Sequence, residues 1–80
     1  MLIQVRTISG TQYHVTLDDA TQFANVYRTA DEKIVGTLTR CRVIERGKLE
    51  WSCHNLDGEF ILESNYPRFC LRAVAYTFEQ

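Results

Sequence analysis

Apolar and polar residues alternate along the first seventeen positions. Ile3 and Val5 flank Gln4, and Tyr13, Val15 and Leu17 flank His14 and Thr16. A period of two means strands with one buried face. Register follows from the loop between them. A two-residue loop at Ser9-Gly10 would set Val5 against His14. A three-residue loop, Ile8-Ser9-Gly10, sets Val5 against Tyr13, Ile3 against Val15 and Met1 against Leu17. The second option joins the apolar sets and leaves Gln4, Arg6, Gln12 and His14 on the other face. It predicts a type I turn followed by Gly10 in the left-handed region.

The stretch "TRCRVIERGKLEWSC" yields to the same test. A three-residue loop at Glu45-Arg46-Gly47 pairs Val43 with Leu49, Cys41 with Trp51 and Thr39 with Cys53. Its opposite face then pairs Arg42 with Glu50 and Arg40 with Ser52, so unlike charges meet. Asp57-Gly58 is a strong hairpin signal. A two-residue loop there puts Phe60 and Leu62 on the face of Cys53, with His54 opposite near Ile61. Strands near 39–45, 49–55 and 59–63 form a meander.

Two segments are less uniform. Ala20, Phe23, Ala24 and Tyr27 have amphipathic helical spacing. Thr16 or Asp18 can cap such a helix, Asp18 and Asp19 suit its positive end, and "ADEK" ends it. In "YPRFCLRAVAYTFEQ", Phe69, Leu71, Ala73 and Ala75 alternate as in a strand. The competing pattern starts a helix at Pro67 with Phe69, Ala73 and Tyr76 on one side. The aromatic residues at its end favour the strand. The sum is an α+β, mainly β chain of order β-β-α-β-β-β-β. An antiparallel sheet of five or six strands would curl over one short helix near residues 18–30 into a small SH3-like or open barrel.

Composition narrows the function. Eighty residues, 45% of them hydrophobic, make a single small domain spanning 1–80. No apolar run approaches the ~20 residues of a membrane span, and no secretory signal pattern opens the chain. These features predict a cytoplasmic protein with no membrane partner. Three widely spaced cysteines, Cys41, Cys53 and Cys70, read as free thiols rather than a disulfide framework. A core this small gains from added burial, which suggests a homodimer.

Cys53-His54 resembles a nucleophile and its base, but neighbours on a strand point to opposite faces. Zinc sites draw ligands in close pairs such as C-x2-C, and these cysteines offer none. Asp18-Asp19 suits a helix start, while Glu50, Glu59 and Glu63 fall on strand surfaces. No catalytic residue, metal or cofactor is expected. Seven of nine basic residues are arginines, and Arg40, Arg42 and Arg46 would share one face and its turn. A small barrel could use them on nucleic acid. A net charge of −1 with interleaved signs opposes that use. Nine aromatic rings exceed what one small core must bury, leaving Tyr13, Tyr27, Tyr66, Tyr76 and Phe78 to be partly exposed. Of these, Tyr27, Tyr66, Tyr76 and Phe78 are the candidate interface residues for another protein or a second copy. The sequence therefore predicts a non-enzymatic protein-binding module, of a size that fits an accessory or inhibitory protein of a mobile element. The alternative is a nucleic-acid-binding barrel.

Overall fold

Six strands and one helix follow in order in the computed structural model, which describes all residues from Met1 to Gln80. They are β1 (Leu2–Arg6), β2 (Gln12–Thr16), β3 (Phe23–Arg28), β4 (Lys33–Val43), β5 (Leu49–Asn55), β6 (Phe60–Ser64) and α1 (Pro67–Phe78). Each strand pairs antiparallel with the next, so spatial order equals chain order. The sheet curls into a half-barrel, and α1 packs along its concave side, most closely against β5 and β4.

The first hairpin has the expected register, with Ile3 opposite Val15 and Val5 opposite Tyr13. Gly10 adopts φ 89°, and its N–H donates to the Thr7 carbonyl at 2.9 Å, closing the three-residue loop. The Asp57-Gly58 turn also has three loop residues, Leu56-Asp57-Gly58, rather than the expected two. The Asn55 N–H donates to the Glu59 carbonyl at 2.9 Å. Asn55 adds a reason: its side-chain oxygen accepts from the N–H groups of Asp57 and Glu59.

The expected helix over 18–30 is absent. Asp18 caps a tight turn instead, accepting at Oδ1 from the Ala20 N–H and the Thr21 hydroxyl. Phe23–Arg28 then runs as a strand with Val26 fully buried. Helical spacing lost to pairing: β3 bonds along its length to β4, whose edge a helix would have left open. "ADEK" becomes the β3–β4 turn, where Arg28 holds Asp31 through two bonds of 3.0 and 2.6 Å.

The final segment is a helix, not the expected strand. Pro67 takes the first helical position, where its fixed φ fits and its missing N–H is not needed. Cys70, Leu71, Val74 and Ala75 form the buried face. This is not the Phe69, Ala73, Tyr76 face that the competing pattern suggested, and Phe69 is exposed. Fully burying Leu71 or Val74 is worth about 1.5–3 kcal/mol each.

Three bulges tune the sheet. The ladders skip Val35, Cys41 and Ile61, each of which breaks a register by one residue. Bulges bend and twist a sheet locally, as curling around a helix requires. Gly36 lets the helix approach. A Cβ there would lie 2.5 Å from both the His54 carbonyl oxygen and Val74 Cγ1. At the far end, Glu79 Oε2 accepts from the hydroxyls of Tyr13 (2.7 Å), Thr7 (2.7 Å) and Ser9 (3.1 Å).

Gly36→Ala is expected to destabilise the fold by about 1–3 kcal/mol or more, through overpacking against backbone, as read from urea unfolding. The Glu79 cluster predicts a second effect. Burial, reinforced by the bond to Glu79, pushes Tyr13 up to about 12, while hydrogen bonds from Thr7 and Tyr13 hold Glu79 below its ordinary value. Tyr13 therefore contributes stability below its unfolded pKa, and this is lost as pH rises from about 10 toward 12. The Glu79 contribution is present above the ordinary glutamate pKa and is lost as pH falls through its depressed value. Thermal melts across pH should decline at both limits, and Glu79→Gln should flatten the acid limb.

Candidate functional site

Cys53 and His54 diverge as their strand positions require. Cys53 is fully buried, whereas His54 lies on the convex face, edge-on to Phe60 at 5.9 Å. The bulge at Ile61 explains that contact: it pairs His54 with Phe60 and so carries Phe60 away from Cys53, the reverse of expectation. Phe60 is exposed. His14 stacks on Tyr27 at 5.5 Å, and its Nδ1 shares a 2.8 Å hydrogen bond with the Thr29 hydroxyl.

The bulge at Cys41 overturns another expectation. Val43 still pairs with Leu49 and Arg42 with Glu50, but Arg40 now pairs with Trp51. Cys41 is exposed rather than packed with Trp51. Its Sγ lies with the carboxylates of Glu50 and Glu63 in one group of potential ligand atoms, all within 4.8 Å. The chain brings its own cation to that group. Arg42 Nε contacts Glu50 at 2.5 Å, and its terminal nitrogen lies 3.8 Å from Glu63. Partial burial, then the charges of Glu63 and Glu50, raise the Cys41 pKa, so its thiol is not activated.

The same bulge separates the arginines that were expected to act together. Arg40 turns to the concave side, with its guanidinium 5.7 Å from the centre of the Trp51 ring and donating to the Asp19 carbonyl at 2.6 Å. Arg42 is on the convex side in its ion pairs. Arg46 stands in the β4–β5 loop with φ 65°. Other arginines are also engaged: Arg6 donates to the Gly10 carbonyl, Arg28 to Asp31 and Arg68 to the Gln4 carbonyl.

The four candidate interface aromatics do not form one patch. Tyr27 is half-buried on the convex face. Tyr76 lies on α1, where its hydroxyl accepts from the Ile8 N–H at 3.3 Å. Phe78 closes the far end of the half-barrel, edge-on to Tyr13 at 6.4 Å, with Arg28 and Lys33 each 5.5 Å from its ring centre. Tyr13 itself is buried, contrary to expectation, because Glu79 satisfies its hydroxyl. Tyr66 alone is strongly exposed, at 64%.

Tyr66 marks the main concavity. At the end where β1 begins and β6 finishes, a cleft of about 640 Å³ opens beneath the start of α1. Leu17, Leu49 and Trp51 line it with Met1, Tyr66 and Pro67. Leu17 and Trp51 are almost wholly buried and form its floor, whereas Met1 and Tyr66 stand exposed. Asp18, Asp19, Lys48 and Asn65 supply the polar positions. Hydrogen bonds from Thr21 and the Ala20 N–H lower the Asp18 pKa and keep its carboxylate ionised. Sequence reasoning named Tyr66 but missed the cleft, because its lining comes from four separate segments. The one available local signal was Tyr66-Pro67, a large ring directly before a helix start.

These features define a class: a small six-stranded antiparallel half-barrel filled by one helix, with one end open and apolar. Comparison with protein-family models, with curated proteins and with solved structures finds no match. No helix is long and apolar enough to cross a membrane.

The burial pattern makes a direct prediction about the thiols. A maleimide should modify Cys41 rapidly in the native protein, Cys53 and Cys70 only at the slow rate at which the start of α1 opens, and all three rapidly in denaturant. Rapid native labelling of Cys53 would contradict its place in the core.

Proposed function

We propose that this protein is a non-enzymatic binding module that seats an apolar side chain of another protein in the open end of its half-barrel. The observation that carries this reading is the cleft, floored by Leu17 and Trp51 and rimmed by an exposed Tyr66. Its volume matches that of a typical binding pocket, and tyrosine and tryptophan are characteristic anchors of protein interfaces. Asp18 and Asp19 are balanced by Lys48 and the Met1 ammonium, so the lining carries no net charge and the fitting segment is chosen by its apolar anchor.

Two observations weigh against the other readings. Five of the seven arginines, at 6, 28, 40, 42 and 68, are held by partners within the chain, which leaves no free basic stripe for nucleic acid. The accessible surface is 4971 Å², close to the roughly 5,000 Å² of an ordinary folded monomer of this size, so the fold does not demand a second copy.

The test begins with proteins captured from native host extract, followed by calorimetry on the purified partner. Tyr66→Ser and Leu49→Ser should each weaken that binding about tenfold or more, while Phe23→Ser on the convex face leaves it unchanged. Binding that ignores both cleft variants would refute the site. A salt-sensitive shift of DNA or RNA probes would favour the nucleic-acid alternative instead.

A further inference from the structure

Two of the three cysteines meet in the core. Cys53 lies on β5 and Cys70 in the first turn of α1, and both are fully buried. Their sulfurs sit over the same seam between β5 and β6. Cys53 Sγ lies 3.4 Å from the Leu62 carbonyl oxygen, and Cys70 Sγ lies 3.8 Å from that of Trp51 and 3.9 Å from that of Ser64. Trp51 pairs with Ser64 and Cys53 with Leu62, so these contacts fall on one ladder, two rungs apart. No step described above uses either thiol.

We propose that Cys53 and Cys70 are an oxidisable pair that closes to a disulfide on exchange with a small-molecule disulfide such as oxidised glutathione. The thiolate of Cys53 attacks one sulfur of the oxidant and expels the first glutathione thiolate. The thiolate of Cys70 then attacks the Cys53 sulfur of the mixed disulfide and expels the second. The protein loses two electrons and two protons, and the oxidant gains them as two thiols. The order of attack follows from the contact between the two groups. Hydrogen bonding from Cys70 favours ionisation of Cys53, and the same contact with burial pushes Cys70 up. Access is through the first turn of α1, whose N-cap residue Tyr66 makes no side-chain capping bond. That turn can open without unfolding the sheet. Closure would pin the start of the helix to a central strand, next to the open cleft.

The experiment uses full-length Cys41→Ser protein, which removes the exposed thiol and leaves the pair. Incubation with oxidised glutathione should lower the intact mass by two hydrogen atoms, and a non-reducing digest should yield one peptide linking Cys53 to Cys70. The bridge closes a loop of intermediate length, so the melting temperature should rise by about 10 °C and return on reduction. Retention of two free thiols, glutathione adducts without closure, or linkage only in denaturant would overturn the proposal. A disulfide that lowers the melting temperature would overturn its assignment to the native geometry.

Discussion

The seat of Val74 over Gly36 sets the rest of the architecture. Helix and sheet normally stand apart by the thickness of two side-chain layers. Here one layer is missing at the centre, because Gly36 has no Cβ and Val74 Cγ1 occupies that space. The helix therefore sinks into the sheet, and the sheet must curl to meet its flanks. Cys70, Leu71 and Ala75 fill the space on either side, with Leu38 and Cys53 below, all fully buried. Six short strands with a single twelve-residue helix can thus make one continuous core. A glycine within a strand normally weakens it; at Gly36 the close approach compensates.

The curl also needs bends in the strands themselves, and these explain where the sequence was readable. Local signals decided correctly in the first hairpin and at the turn of β4–β5, but at Asp57-Gly58 the Asn55 side chain drew one more residue into the loop. Ile3, Val5, Tyr13 and Val15 fixed the first hairpin, and the Arg42–Glu50 pair fixed the turn end of β4–β5. Register failed beyond the bulge at Cys41, but in β5–β6 only between the turn and Ile61, since Cys53 still faces Leu62 as expected; a skipped residue leaves no compositional mark. Each failure had a chemical consequence. One bulge moved Cys41 outward and split Arg40 from Arg42, and the other placed Phe60 beside His54.

The exchange of helix and strand has a single cause. Residues 20–27 and 69–76 each carry two competing periodicities, and helical spacing in one segment is matched by alternation in the other. Tertiary pairing decided between them. Phe23–Arg28 lies between β2 and β4, where extended backbone pairs along β4 and, at Tyr27 and Arg28, with β2. Pro67–Phe78 follows the last strand, where α1 can cover the concave face. The total of one helix and an antiparallel sheet was legible because it depends on composition and turn spacing. The position of the helix was not, because it depends on which segment has a strand partner in space.

The two ends of the half-barrel differ for the same reason. At one end α1 carries through to Phe78 and Glu79, which close the space with a ring under two cations and a carboxylate bound by three hydroxyls. At the other, the helix begins only at Pro67, and Asn65 and Tyr66 cross the opening without filling it. Apolar floor residues there meet solvent, whereas five of the seven arginines are tied to partners within the chain. An open apolar concavity gains nothing for an isolated monomer and exposes it to nonspecific association. It is therefore a feature of this fold that packing alone does not account for. The exposed ring of Tyr66 beside it, carrying no load in the core, belongs to the same surface.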